Sequence, residues 1–108
     1  MSSRREVQFS ETIAHAAGEF FMREANKESL ITVRRATVSP DLKNALIYIS
    51  VLPDSAEEKA LAFAKRERSA LREFIKSKSG IHRLPTLDVV IDYGEKHRQH
   101  IDDILRKA

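Results

Sequence analysis

DSAEEKALAFAKRERSALREFIKSKSG, residues 54–80, is the longest uninterrupted helical pattern in the chain, and its reading decides how the rest is arranged. Ala60, Leu61, Ala64, Leu71, Phe74 and Ile75 recur at helical spacing and form its apolar side, and Gly80 stands where a C-cap belongs. Ser55 and Glu58 offer a capping box at its start, just after Pro53. Arg68 interrupts the apolar stripe between Ala64 and Leu71. Two readings follow: a kink or join between two helices near Arg68–Ala70, or one straight helix in which Arg68 snorkels. The same stretch carries the charge. Between Lys65 and Arg83, seven Lys or Arg (65, 66, 68, 72, 76, 78, 83) face two Glu (67, 73), in a chain whose formal net charge is +3. Lys65, Arg68, Arg72 and Lys76 are spaced 3, 4 and 4, which at ~3.6 residues per turn places them along one helix face.

Outward from this segment, Ser3 with Glu6 fits a capping box. Phe9, Ile13, Ala16, Ala17 and Phe20 then trace the apolar face of a first helix over about Arg4–Ala25, with Gly18 opposite that stripe. Asn26–Ser29 reads as its exit turn. Leu30–Val38 and Ala45–Leu52 are rich in β-branched and aromatic residues and flank Ser39-Pro40-Asp41, so they predict a β-hairpin. The second strand is apolar at nearly every position and should lie inside the sheet or be covered on both faces. Arg34 and Arg35 should point to opposite faces of the first strand. Leu84-Pro85 opens a third strand over 86–92, and Asp92 with Glu95 caps a last helix that turns Ile101, Ile104 and Leu105 inward. The order is helix, strand, strand, helix, helix, strand, helix: one α+β domain over 1–108, with helices on one face of a three-stranded sheet.

Composition narrows the function. A basic balance, with a pI near 9.4, favours polyanionic partners. The chain has no Cys, which removes disulfides and thiolate chemistry. No apolar run approaches a membrane span and the start lacks the apolar core of a signal peptide, so a cytoplasmic protein is expected. No Gly-rich phosphate loop, nucleophile elbow or H-E-x-x-H occurs, and Asp41 and Asp92 sit at turn or capping positions. His97, His100 and Asp103 share a helix spacing, but a polar helix face accounts for them better than a metal site. Phe63 lies off the main stripe, and core packing explains it better than base stacking. Against a merely solvated ridge stand Arg68–Arg72 and Arg72–Lys76, like-charge pairs at i,i+4 that disfavour an isolated helix. Arg4 and Arg5 oppose the helix dipole at the first helix N-terminus. They read equally as a frayed end or as an RNA contact, whereas Arg34 or Arg35, Lys43, His82 and Arg83 are looser extensions of the basic surface.

Val38-Ser39-Pro40-Asp41-Leu42 followed by Ala45, Tyr48 and Ser50 matches the pattern V-S-x-D-L-x-x-A-x-x-Y-x-S of the ribosome-binding factor A family. Pro85-x-Leu87, Asp92, Ile101 and Ile104-Leu105 are similar to that family's third strand and closing helix, so the resemblance covers nearly the whole chain. It implies a type II KH-like fold, helix-strand-strand-helix-kink-helix-strand-helix, and a non-enzymatic factor that binds the small (30S) ribosomal subunit. In the family that action assists late 16S rRNA maturation near the 5'-terminal helix of the rRNA, most needed in the cold. The expected partners are 16S rRNA and the 30S subunit, met by a monomer without membrane, cofactor or small-molecule substrate. The RNA-binding set is then Lys65, Arg68, Arg72, Lys76, Lys78, Arg83, Arg4 and Arg5, with the kink at Ser69, Ala70 and Leu71. Three departures stand out. The G-x-x-G loop of ordinary KH domains is missing, and Leu71 occupies the place where relatives have Gly at the kink. His82 replaces an Arg usual in the family, and the basic tail of some relatives is not expected after the last helix. Another KH-like RNA-binding module, or a protein-interaction domain using the basic face, are the competing readings.

Overall fold

The computed structural model describes residues 3–24 and 29–93. Its elements are α1 (Arg4–Glu24), β1 (Leu30–Val38), β2 (Asn44–Leu52), a short 3-10 turn (Asp54–Ala56), α2 (Glu57–Arg66), α3 (Arg68–Ser79) and β3 (Thr86–Ile91). The expected last helix, with Ile101, Ile104, Leu105, His97, His100 and Asp103, lies outside the described residues, as does most of the exit turn after α1. The strands form a mixed sheet in the order β1-β2-β3, with β1 antiparallel and β3 parallel to β2. α1 and the α2–α3 pair pack on one face of this sheet. This is the α+β arrangement read from the pattern.

Local chemistry explains most boundaries. The first capping box forms in both directions: the Glu6 amide donates to Ser3 Oγ at 3.1 Å, and the Ser3 amide to Glu6 Oε1 at 3.3 Å. From there Ile13, Ala16, Ala17, Phe20 and Phe21 are buried against the sheet, and a Cβ added at Gly18 would meet nothing within 4 Å. The box expected at Ser55 and Glu58 does not form. The chain enters α2 through the 3-10 turn, where the Ala56 amide donates to the Pro53 carbonyl at 2.9 Å, and neither segment has a side-chain cap. At the far end, Gly80 adopts φ 72° and its amide closes on the Lys76 carbonyl at 3.0 Å, a left-handed C-cap.

Strand β2 is central, and its side chains alternate: Ala45, Ile47, Ile49 and Val51 are buried, while Leu46, Tyr48, Ser50 and Leu52 are exposed or half-exposed on the other face. A bulge resolves the two arginines of β1. The register slips between Val33 and Arg35, leaving Arg34 outside the ladder and opposing Arg35 to Tyr48. Both arginines are therefore exposed, and they do not sit on opposite faces. The slip keeps Ile31, Val33, Ala36 and Val38, spaced 2, 3 and 2, all on the core side. The Arg35 guanidinium lies 4.0 Å from the Tyr48 ring centroid and 3.8 Å from Asp92 Oδ2.

The segment over 54–80 is broken, but not where expected. The interruption is Glu67, with φ −91° and ψ 9°, in the bridge region of backbone space. Ser69, Ala70 and Leu71 are not the kink; they form the first turn of α3, and Leu71 is fully buried. The cause is packing: with Ala64 and Leu71 both inward, a single-residue break turns Arg68 outward without exposing either. The break costs few backbone bonds, since the Glu67 amide still reaches the Phe63 carbonyl at 3.0 Å and the Leu71 amide the Glu67 carbonyl at 2.8 Å.

Candidate nucleic-acid interface

Arg68 closes the joint it creates. Its Nε donates to the Lys65 carbonyl in the last turn of α2 at 3.2 Å, and its Nη1 reaches Asp88 Oδ1 at 3.5 Å. Lys65 Nζ approaches the same oxygen at 3.9 Å. Asp88 alternates with the buried Leu87 and Val89 on the edge strand, so both cations reach around the β3 edge to meet it. Arg68 and Asp88 thereby share a groove of about 490 Å³ with Leu46, Thr37 and Thr86 at the start of the hairpin.

The remaining cations of the expected ridge divide by what they touch. Arg72 is half-buried and forks between two backbone carbonyls, donating from Nη1 to Pro85 at 2.7 Å and from Nη2 to Leu84 at 3.0 Å. That is the bidentate geometry for which Arg, not Lys, is suited. It ties α3 to the entrance of β3 and leaves little of the guanidinium for a ligand. Lys78 leans toward α1, with Nζ 3.7 Å from Glu19 Oε2 and 5.8 Å from the Phe74 ring. Lys76 is exposed on α3, and Arg66 borders a small groove with Ile31 and Phe63. Phe63 itself is partly buried against the core. The straight ridge expected from spacing is thus bent at Glu67.

Arg5 and Arg83 meet at a second place. With Lys43 they border a groove of about 740 Å³ between α1, the hairpin loop and the connection from α3 to β3. Arg4 is exposed at the head of α1 and does not border it. The loop side of this groove is rigidly built. The Ser39 hydroxyl donates to Asp41 Oδ1 at 2.6 Å, the same carboxylate oxygen accepts the Lys43 amide at 3.1 Å, and Ser39 Oγ accepts the Asn44 amide at 3.0 Å. These bonds give V-S-x-D-L its physical content: Ser39 and Asp41 are the internal staples of a five-residue loop. The Ser39 hydroxyl, then the Lys43 amide, hold the Asp41 carboxyl below its ordinary value of 3.8. Leu42 is held at φ 60°, an uncommon conformation for a non-glycine residue.

Sequence reasoning missed Asp88 and Leu42. Asp88 had a signal, an acid inside the otherwise apolar run Leu87–Ile91. Leu42 had none, because no propensity marks a leucine for positive φ. Among the described residues no group of three or more His, Cys, Asp or Glu could hold a metal ion. None of the helices described is long and apolar enough to cross a membrane.

Helices on one face of a mixed three-stranded sheet, a one-residue helix break beside the edge strand and cations around that edge define a KH-like protein with a basic face. The family model described as ribosome-binding factor A matches residues 4–105, and the chain belongs to that family. The ribosome-binding factor A of Salinispora arenicola is 32% identical over 80 residues, 73% of this chain and 51% of that protein. The chain thus aligns with about half the length of that relative. The Thermobifida fusca factor is 27% identical over 111 residues, covering 100% of this chain and 74% of its own. The crystal structure of ribosome-binding factor A from Thermus thermophilus superposes with a TM-score of 0.71 at 21% identity, over 80% of this chain and 94% of that one. A Thermus thermophilus ribosome-binding factor A homology model, fitted into a cryo-electron-microscopy map of a 30S complex, gives 0.63 at 21% identity, over 83% and 93%. At these identities the structural likeness speaks for the fold.

Proposed function

We propose that this protein is a non-catalytic RNA-binding factor of ribosome assembly, acting as a single cytoplasmic domain and as a monomer on the small ribosomal subunit. Membership of the ribosome-binding factor A family is the observation that supports this reading most directly. The finer reading is late maturation of 16S rRNA near its 5'-terminal helix, with greatest need at low temperature. Lys65, Arg68 and Lys76 meet the phosphate backbone from the α2–α3 joint, and the scarcity of exposed aromatic rings favours recognition of backbone and shape over bases along this face. By mass action the factor favours the rRNA conformation it binds more tightly, and it leaves when the mature subunit no longer offers that conformation.

The test is co-sedimentation with isolated small subunits, comparing the native chain with Lys65→Glu, Arg68→Glu and Lys76→Glu combined. Arg72 is left intact because its loss would unfasten α3 from β3. Capture of the native chain with loss of the triple variant is expected. Equal capture of both would remove the α2–α3 joint from the interface, and failure of the native chain to bind would remove the ribosomal reading itself.

A further inference from the structure

The groove bordered by Arg5, Lys43 and Arg83 has a composition unlike the joint. Its lining joins the apolar side chains of Phe9, Leu42, Ile81 and Leu84 to the cations Arg5, Lys43 and Arg83. Among the described residues none forms an ion pair with Arg5, Lys43 or Arg83. The one acid in the lining, Asp41, accepts from the Ser39 hydroxyl and the Lys43 amide on Oδ1 and stays ionised, offsetting part of the Lys43 charge. A volume of about 740 Å³ is in the range of small-molecule sites.

We propose that this groove is a binding site for one unpaired nucleotide of RNA, with the base on Phe9 and Leu42 and its phosphates on Arg5, Lys43 and Arg83. Three observations converge on it. Free phosphate alone would use the cations and leave the apolar side chains wet, whereas a nucleotide covers both, its flat base on apolar and aromatic surface and its charge on cations. Leu42 keeps a conformation that Gly or Asn would adopt more easily, and the loop staples hold it there, so its side chain is retained at a conformational cost. Thr86 borders both this groove and the one containing Arg68 and Asp88, so one RNA strand can run from the α2–α3 joint across the start of β3 into it. The site rests on the RNA-binding reading above and adds an unpaired nucleotide to what was there a contact with backbone alone.

The experiment is an NMR titration of the 108-residue chain with a 5'-phosphorylated tetranucleotide RNA, a blunt RNA duplex, inorganic phosphate and an acidic peptide in parallel. The tetranucleotide is expected to shift the amides of Phe9, Leu42 and Arg83 more strongly than the duplex does. Leu42→Gly and Arg83→Ala should each weaken its binding about fivefold or more. Leu42→Gly relieves the positive φ, so its Tm should hold while binding falls, and Arg83→Ala gives the same readout from a different element. Shifts confined to α2 and α3, equal affinity in both variants, saturation by inorganic phosphate alone or preference for the acidic peptide would each overturn the site. Those results leave the ribosomal reading standing if small subunits still capture the native chain. Loss of that capture strikes the function instead.

Discussion

Two basic surfaces of this protein carry comparable charge, and the structure uses them differently. At the α2–α3 joint, Arg72 is half-buried on two carbonyls, Arg68 caps a helix end, and Lys65 and Arg68 share Asp88. At the hairpin groove, Arg5, Lys43 and Arg83 line the cavity with no salt bridge among the described residues, and only Lys43 has an acid, Asp41, acting on its charge. Counting cations along the sequence ranks the joint first. Counting cations available to a ligand narrows the gap, because a guanidinium already bonded to backbone must give up those bonds before it can meet a phosphate.

The sharpest contrast between the two surfaces is one of stability. Arg72→Ala removes two charge-assisted hydrogen bonds and orphans the carbonyls of Leu84 and Pro85, both of which are buried residues. A loss of about 2–3 kcal/mol is expected, seen as a Tm lower by on the order of 10 °C. Arg72→Lys should not restore it, since one ammonium cannot fork between two carbonyls. Arg83→Ala, at an exposed position, should leave Tm within about 3 °C. Equal effects would erase the distinction between a structural and an available cation.

What could be read from the sequence divides along the same line. The Ser3–Glu6 cap, the Gly80 C-cap and, to within a residue, the strand positions depend on neighbours a few residues apart and formed as read, although the equally local box at Ser55 and Glu58 did not. The apolar faces of the described helices also formed as read, because periodicity reports burial directly. The position of the helix break did not follow from local pattern. Glu67 is an ordinary helix former, and the interruption there turns the intervening Arg68 outward while Ala64 and Leu71 both stay buried. Likewise the β1 bulge was written in the 2, 3, 2 spacing of Ile31, Val33, Ala36 and Val38, yet strict alternation across Arg34 and Arg35 concealed it. Which cations are occupied is a tertiary fact: Asp88 is 20 residues from Arg68, and Leu84 is 12 from Arg72.

A smaller change at the groove tests whether its loop is a separate device. Ser39→Ala deletes the hydroxyl that donates to Asp41 and accepts from the Asn44 amide. About 1 kcal/mol of stability should go with it. RNA binding at the groove should weaken while contacts at the joint persist, which amide shifts of Leu42 and Lys76 would separate. Smaller still in stability is Asp88→Asn, since its ion pairs with Lys65 and Arg68 are half-exposed and worth at most ~1 kcal/mol. Its effect belongs to binding: with the shared carboxylate neutralised, small-subunit affinity should rise a few-fold and fall more steeply with salt, by about one to two units of log–log slope. An unchanged slope would show that Asp88 does not compete with phosphate for these cations.

The least of these effects is the protonation of Asp41, and its sign is fixed by the loop. The folded-state pKa lies below the ordinary 3.8, first because the Ser39 hydroxyl bonds the carboxylate and then because the Lys43 amide does. A group whose pKa is lower when folded binds fewer protons in the native state. Its contribution is therefore complete above the unfolded value and is lost as pH falls below 3.8 through the folded one. The carboxyl carbon shift of Asp41, followed by NMR, should titrate at lower pH than that of a free aspartate. In Ser39→Ala the midpoint should move back up toward 3.8, because the largest cause is gone while the Lys43 amide remains. A midpoint that stays where it was would mean that the Ser39 bond does not hold the loop in solution, and the rigid wall of the groove would go with it.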